Sequence, residues 1–183
     1  MTSARIRACT LALVLGAGLL GPSASHAADA QVTWPDGWQV GERPLQSRGP
    51  DGTPVSGMQR LAAKAGPDGK PDAIIVFFAF NRTEGPAPDL KTEAGLLAQQ
   101  QQMRAPTGTR RTECGSLEDA TIAGIAAQRM ACATMEEGKP TLRQSVSVLV
   151  KDRSIVTFIY TAPEDSYDAH KATYDAVEAS LKL

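Results

Sequence analysis

The amino-acid sequence predicts an α+β fold in which two helices pack on an antiparallel β-sheet meander. Residues 74–80 are apolar without interruption, which is typical of a central strand covered on both faces. The second half of the chain alternates strand patterns with Gly- and Pro-containing turns, as antiparallel strands do. Apolar residues recur at helical spacing in residues 90–104 and 163–183. Helices segregated onto an antiparallel sheet indicate an α+β sandwich.

The first residues have the pattern of a cleaved export signal. Arg5 and Arg7 form a basic start, residues 11–20 form an apolar core, and a small-x-small cleavage site ends at Ala27. We therefore expect cleavage after Ala27 and a mature chain, residues 28–183, that folds as one domain. The expected location is periplasmic or secreted.

Hydropathy and charge narrow the classes of partner. The apolar run of the signal is shorter than the roughly 18 to 20 residues that span a bilayer, and no similar run follows, so we expect no transmembrane anchor. After cleavage, 17 of the 19 basic side chains and all 20 acidic ones remain, a net charge of −3. Without a dense basic patch, this balance argues against nucleic acid as a partner. The expected partner is an envelope or secreted protein, and the oligomeric state stays open.

A turn precedes the first predicted strands. Residues 35–37, "PDG", are predicted to form a turn, because proline fixes φ and glycine accepts positive φ. An alternating strand is predicted to start at Trp38. Residues 41–54 are rich in Gly and Pro and are predicted to be a surface loop. Residues 55–65 and 72–82 are predicted to form a hairpin through "GPDGKP".

The first predicted helix covers residues 90–104. Asp89 is its expected N-cap, and Pro106 lies just beyond its end. The glutamine run, residues 99–102, is interpreted as mostly the solvent-facing side of this helix. Three apolar residues follow helical spacing: Leu90, Ala94 and Leu97.

Further strands are predicted in residues 121–136, 141–150 and 154–160, separated by the turns "EGKP" and "KDR". In the middle strand the valines share one face, while Arg143, Ser145 and other polar residues share the opposite face. Because polar residues on one face usually contact water, one side of the sheet is predicted to be solvated there.

The closing segment is predicted to be an amphipathic helix that lies on the sheet. Pro163 and the acidic residues that follow it favour a helix N-terminus. One stripe recurs at intervals of three and four: Tyr167, His170, Tyr174, Val177 and Leu181.

The cysteines predict a structural disulfide. Cleavage of the signal removes Cys9 and leaves Cys114 and Cys132, an even pair in an oxidising compartment. A bond that closes this loop stabilises a fold by about 3 kcal/mol in the chain-entropy model. A redox-active pair is the alternative, but it lacks CxxC spacing and nearby basic groups.

The order of elements resembles the PsbP and Mog1-like fold. "WPDGWQV", residues 34–40, is similar to the P-x-G-W opening strand of that fold, as are "IAGIAAQR" and the passage from "TAPEDSY" into a helix ending "SLKL". The layout also resembles a small uncharacterised family of bacterial periplasmic proteins. The resemblance implies a compact sandwich used for binding and assembly, as in photosystem II extrinsic subunits, a nuclear-transport accessory and chaperone-like modules. No motif matches the calcium- or manganese-related role of the photosynthetic members.

Signatures of common catalytic sites are missing from the sequence, and we expect no metal and no cofactor. The single histidine of the mature chain, His170, lies on the apolar stripe of the last helix, where packing is the usual role. No serine lies in G-x-S-x-G, although a Ser/His/Asp triad built from distant residues would use His170. Three carboxylate pairs adjoin turns or helix starts, where such charges are usually solvated or act as caps: Glu118-Asp119, Glu136-Glu137 and Glu164-Asp165.

The two tryptophans remain as candidate binding residues. Trp34 and Trp38 flank the "PDG" turn, and each belongs either to the core or to a groove for a partner. The leading hypothesis is an exported, non-catalytic binding or assembly accessory protein of the cell envelope, chaperone-like in role. The alternatives are an envelope hydrolase with a dispersed site around His170, and a small-molecule or lipid carrier with an apolar pocket between sheet and helix.

Overall fold

The computed structural model describes residues 30–48, 52–103 and 110–183. The predicted signal and Pro106 lie outside these ranges. Within them the chain forms eight strands and two helices, numbered in chain order. These are β1 (Gln39–Arg48), β2 (Pro54–Ala65), β3 (Pro71–Arg82), α1 (Leu90–Met103), β4 (Arg110–Cys114), β5 (Glu118–Ile122), β6 (Ile125–Glu136), β7 (Lys139–Lys151), β8 (Ser154–Pro163) and α2 (Tyr167–Ala179).

One antiparallel sheet holds all eight strands in the order β1-β2-β3-β8-β7-β6-β4, with β5 paired to β6 beside β4. The predicted α+β class, a largely antiparallel sheet with two helices, is confirmed. The strand over residues 74–80 lies in β3 at the centre of the sheet, as its unbroken apolar run predicted. Neither described helix is both long and apolar enough to cross a membrane.

The two helices cover opposite faces of this sheet. Phe77 packs in the core beneath α2 with Tyr174, whereas its neighbour Phe78 points to the other face, against Leu97 of α1. Successive side chains of a strand alternate between faces, so each face needs its own cover. The result is a three-layer helix–sheet–helix arrangement with two separate apolar cores.

The segment from residue 41 onward is a strand, and the prediction of a surface loop over 41–54 is wrong for most of its length. β1 pairs with β2 along its whole length, with Pro44 opposite Met58. Proline is tolerated here because β1 is an edge strand, where an N–H can face solvent without a ladder partner. The Gly and Pro content that suggested a loop is also typical of a protected sheet edge.

The segment over residues 121–136 is interrupted by a hairpin turn and is not one strand. Ala123 and Gly124 have positive φ values of 49° and 79°, which reverse the chain between β5 and β6. β4, for which no strand was predicted, pairs with the other half of β6. Two consecutive positive φ values are the geometry of a tight primed turn, and the Ala-Gly dipeptide is a weak signal for it.

The first helix begins as predicted. The backbone N–H of Thr92 donates to Asp89 Oδ1 at 2.9 Å, which caps the N-terminus of α1. This hydrogen bond holds the pKa of Asp89 below its ordinary value. The cap fixes the residue at which α1 begins, after the loop that follows β3.

The polar face of β7 is covered, so the prediction of a solvated sheet face there is wrong. Ser145 and Ser147 are buried under α2, and Ser147 Oγ accepts a hydrogen bond from Arg129 Nε at 3.1 Å. Tyr174 Oη lies 3.4 Å from the same hydroxyl. Buried hydroxyls are acceptable where they have partners of this kind.

Cys114 and Cys132 are joined by a disulfide, as the sequence predicts. The two residues are direct partners in the β4–β6 ladder, with their Cα atoms 4.0 Å apart. The bond therefore fastens the short strand β4 to β6 and encloses β5 within the closed loop.

Candidate binding groove

A groove opens between α1 and the sheet. α1 packs mainly on β4, β6 and β7, and among the described residues it makes few contacts with the half of this face formed by β1, β2 and β3. The space between the helix and the uncovered strands has a volume of about 710 Å³. Ligand pockets in proteins are typically of this size, roughly 300 to 1,000 Å³.

The floor of the groove is built by rows of side chains that run across the sheet. In one row, Arg43, Gln59, Phe78, Thr157 and Val148 are successive ladder partners, so their side chains share this face. The next row places a second aromatic ring beside the first, and the two rings stack with centroids 6.0 Å apart. Its members are Leu45, Gly57, Phe80 and Ile155.

Gly57 leaves the second row without a side chain between Leu45 and Phe80. It lies between Leu45 and Phe80 in the ladder, where any other residue would add a side chain. A Cβ at this position would meet the carbonyl oxygen of Ala79 at 2.0 Å, which is far too close. The glycine therefore permits close backbone approach, and the half-buried face of Phe80 stays open to the groove.

A buried ion pair closes one end of the groove. Arg82, at the end of β3, and Glu93, in the first turn of α1, approach to 3.1 Å with side chains only 9% and 14% exposed. Arg153 Nε donates to the backbone oxygen of Arg82 at 2.6 Å. Arg82 Nε itself has no hydrogen-bond partner among the described residues. The pair anchors the start of α1 to the sheet.

The amide of Gln101 is buried in the wall of the groove without a partner. Gln101 is 1% exposed, and within the described residues neither Nε2 nor Oε1 has a hydrogen-bond partner. The interpretation of the glutamine run as the solvated side of α1 thus holds for Gln99, Gln100 and Gln102 and is wrong for Gln101. A buried amide without a partner is rare in a native protein and requires an explanation.

The rim of the groove combines cations with apolar residues. Arg43 Nε donates to Gln59 Oε1 at 2.7 Å, and Arg48 Nη1 donates to the Gly52 carbonyl at 3.1 Å. Neither guanidinium forms an ion pair within the described part of the chain. On the helix side, Leu96 and Met103 are exposed, Met103 by 66%.

The two predicted binding residues lie on the opposite face of the sheet from this groove. Trp34 and Trp38 are half-buried and pack against the core beneath α2. Trp38 meets His170 edge to face, with ring centroids 5.8 Å apart. Their role in binding stays a prediction, and the residues that line the groove were not identified from the sequence.

His170 is fastened to the sheet by a carboxylate. Its Nε2 lies 2.7 Å from Asp72 Oδ2, which joins α2 to the start of β3. Ser166 Oγ donates to the backbone oxygen of Asp72 at 3.1 Å. The hydrogen bond from His170 to the carboxylate lowers the pKa of Asp72 below its ordinary value of 3.8. Through these contacts the His170 ring connects α2 to the sheet, which explains its position.

We expect the Asp72–His170 contact to stabilise the protein in a pH-dependent way. Because the folded-state pKa of Asp72 is lowered, its contribution is fully present above pH 3.8 and is lost as the pH falls through the lowered value. Asp72→Asn should therefore reduce the melting temperature near neutral pH, and this difference from wild type should shrink below pH 3.8. Asp36→Asn, at an exposed turn, is the control. A difference that stays constant from pH 7 to pH 2.5 would contradict this role.

The carboxylate pairs lie apart from the groove and from one another. Glu136 pairs with Arg110 at 3.3 Å, Glu164 lies 3.9 Å from Arg143, and Asp119 accepts a hydrogen bond from Gln128. No group of three or more His, Cys, Asp or Glu side chains in the described ranges is arranged to hold a metal ion.

A polar cluster lies buried beneath α2. Glu178, 3% exposed, accepts from Arg129 Nη2 on one carboxylate oxygen and from Tyr174 Oη on the other. Burial, together with the adjacent carboxylate, raises the pKa of Tyr174 well above its ordinary value, so its hydroxyl remains a donor. Ser147 completes the cluster. Because each member has a partner, we interpret the cluster as a structural connection between α2 and the sheet.

One solved structure supports the PsbP-like fold. The solution structure of cyanobacterial PsbP (CyanoP) from Synechocystis sp. PCC 6803 aligns with 91% of this chain and 99% of its own, at 16% identity and a TM-score of 0.51. The crystal structure of a protein of unknown function, PA94, from Pseudomonas aeruginosa aligns with 81% of this chain and 88% of its own, at 16% identity and a TM-score of 0.44. The fold likeness rests on the first of these.

The search of curated proteins finds no match to this chain. The family described as a domain of unknown function, DUF4946, matches residues 29–183. The predicted likeness to the PsbP and Mog1-like fold is confirmed at the level of fold. The chain therefore belongs to the DUF4946 family and has a PsbP-like fold.

Proposed function

We propose that this protein is an exported, non-catalytic binding or assembly factor of the cell envelope, and that it binds through the groove between α1 and the β1–β3 half of the sheet. The observation that carries the proposal is the amide of Gln101, buried in the groove wall with neither polar atom paired to any described residue. Burial of such a group without a hydrogen bond costs about 1 to 3 kcal/mol. A bound ligand that pairs with the amide would offset this cost.

Two features support export. The pattern of residues 1–27 is that of a cleaved signal, which leaves residues 28–183 as one mature domain. The disulfide between Cys114 and Cys132 fits an oxidising compartment, because cytosolic thiols are kept reduced.

A binding role fits the described side chains better than hydrolysis. A hydrolase centred on His170 would need a nucleophile at its ring, yet Nε2 is bonded to Asp72 and the nearby Ser166 hydroxyl donates to a backbone oxygen. The ring also packs against Trp38. In contrast, the groove offers an open apolar floor with a few polar groups, which is the usual composition of a binding site.

The proposal is tested by site-specific photocrosslinking in the exporting cell. A photoreactive amino acid replaces Met103, an exposed residue at the groove rim, in the full-length protein. We expect a defined crosslinked species at this position, identified by mass spectrometry. The control places the same amino acid at Leu117, which is exposed between β4 and β5 and does not line the groove. The absence of any product specific to Met103 would contradict the proposal.

A further inference from the structure

We propose that the groove binds a small amphipathic anion, with an apolar chain on the sheet and a single anionic head group that accepts a hydrogen bond from Gln101 and is attracted by the arginines of the rim. This inference rests on the proposed function, because it names the class of ligand for the same groove. Three properties of the described lining residues support it: an apolar floor of limited size, more arginines than carboxylates, and the buried amide of Gln101.

The apolar floor suits a narrow, flexible chain. Phe78 and Phe80 present stacked, half-buried rings, flanked by Leu45 on one side and Ile155 on the other. The volume of about 710 Å³ is that of a small-molecule site. A chain laid along the rings would remove this apolar surface from water, which is favourable in proportion to the area covered.

The charges of the groove select an anion. Arg82 is neutralised by Glu93, whereas Arg43 and Arg48 have no carboxylate partner among the described residues. The described lining therefore holds three arginines and one carboxylate, on a chain whose overall formal charge is −1. Guanidinium groups attract carboxylate and phosphate groups, so an anionic head group is favoured in this groove.

The position of Gln101 indicates which end receives the head group. Leu97 and Ala98 of α1 pack in the same cluster as Phe78, and Gln101 follows them by one helical turn. Arg43 stands at the β1 end of the transverse row of Phe78, whereas α1 packs mainly on β4, β6 and β7. The amide donor and the guanidinium thus face the groove from opposite sides. An anion beside the helix would accept from the buried Nε2, and Arg43 would attract it across the groove.

Isothermal titration calorimetry of the exported, purified protein tests the ligand class. The probes are dodecanoate, its neutral counterpart dodecanol and the cation dodecyltrimethylammonium, the two ions below their micelle-forming concentrations and dodecanol below its solubility limit. We expect dodecanoate to bind about tenfold more tightly than dodecanol, because a charged hydrogen bond adds this much, and the cation to bind more weakly still. Equal affinity for all three probes, or none for dodecanoate, would overturn the inference.

Variants locate the head group. Gln101→Leu should weaken dodecanoate binding by about tenfold and Arg43→Gln by a smaller factor, while both leave dodecanol binding nearly unchanged. Arg110→Gln, at an exposed position on β4, is the matched control and should change neither affinity. Weakening by Arg110→Gln equal to that by Arg43→Gln would mean nonspecific attraction and would overturn the inference.

Failure of this inference can be told apart from failure of the proposed function. If dodecanoate does not bind but the photoreactive residue at position 103 still gives a specific product, the groove is used and the ligand class is wrong. If neither occurs, the proposed function fails as well. A product that disappears when dodecanoate is added supports both.

Discussion

Glu178→Leu should destabilise the protein by about 3 kcal/mol. Glu178 is buried and accepts hydrogen bonds from Arg129 and Tyr174, so its removal leaves two polar groups without their partner beneath α2. Breaking a buried ion pair from one side costs about 3 to 5 kcal/mol. We expect the lower end of this range because the side chain of Arg129 is 36% exposed and can turn toward water. Leucine has a similar volume, so the change tests the polar contacts rather than a cavity.

Urea denaturation measures this difference, and Asp175→Ala is the matched control on the same helix. Asp175 pairs with Lys171 at the exposed surface, where an ion pair one helical turn apart contributes only about 0.3 to 0.5 kcal/mol. If Glu178→Leu cost no more than Asp175→Ala, the buried cluster would not be what holds α2 on the sheet.

Gln101→Leu should make the protein more stable and a poorer binder at the same time. The substitution replaces a buried amide that has no partner among the described residues by an apolar group of similar size, which removes a cost of about 1 to 3 kcal/mol. In a chain of this length, each kcal/mol raises the melting temperature by roughly 2 to 4 °C. The expected loss of affinity comes from the missing hydrogen bond to the ligand. A position that trades stability for binding in this way is typical of a functional site.

Melting temperatures of the ligand-free protein test the first half of this prediction. Gln102→Leu, one residue further along α1 and exposed, is the control and should leave the melting temperature within about 1 °C. A fall in the melting temperature on Gln101→Leu would mean that the amide is satisfied within the fold and serves the structure alone.

Local patterns predicted the elements whose burial follows from their own sequence. The apolar run of β3, the cap at Asp89 and the apolar stripe of α2 are each visible within a dozen residues, and the structure has all three. The disulfide followed from cysteine number and predicted compartment. These features depend little on where distant segments lie.

The features that were missed depend on tertiary placement. β1 contains Pro44, which is compatible with a strand only because that strand lies at the sheet edge. The serine face of β7 is dry because α2 comes from the far end of the chain to cover it. The groove exists because α1 lies over one half of its sheet face and leaves the other half open. The periodicity of apolar residues along a chain does not show which strand lies at the sheet edge or which part of a sheet face a helix covers.

The glutamine run itself gave a weak indication that one of its side chains, such as Gln101, is buried. Four consecutive glutamines on an α-helix cannot all face solvent, because four residues at 100° per residue extend around most of the helix. One of them must turn toward the sheet, and Gln101 does so four residues after Leu97. The sequence therefore required a buried or half-buried amide, although it could not show that this residue would line a groove.

The central claim is that the groove beside α1, and not the tryptophan face, is where this protein binds. A titration of the ¹⁵N-labelled protein, residues 28–183, with dodecanoate, followed by ¹H–¹⁵N correlation spectra, tests it most directly. The account predicts that the side-chain amide of Gln101 and the backbone amides of Phe78 and Phe80 shift together, while the indole N–H of Trp38 stays in place. Shifts centred on Trp34, Trp38 and α2, with the Gln101 amide unchanged, would contradict it.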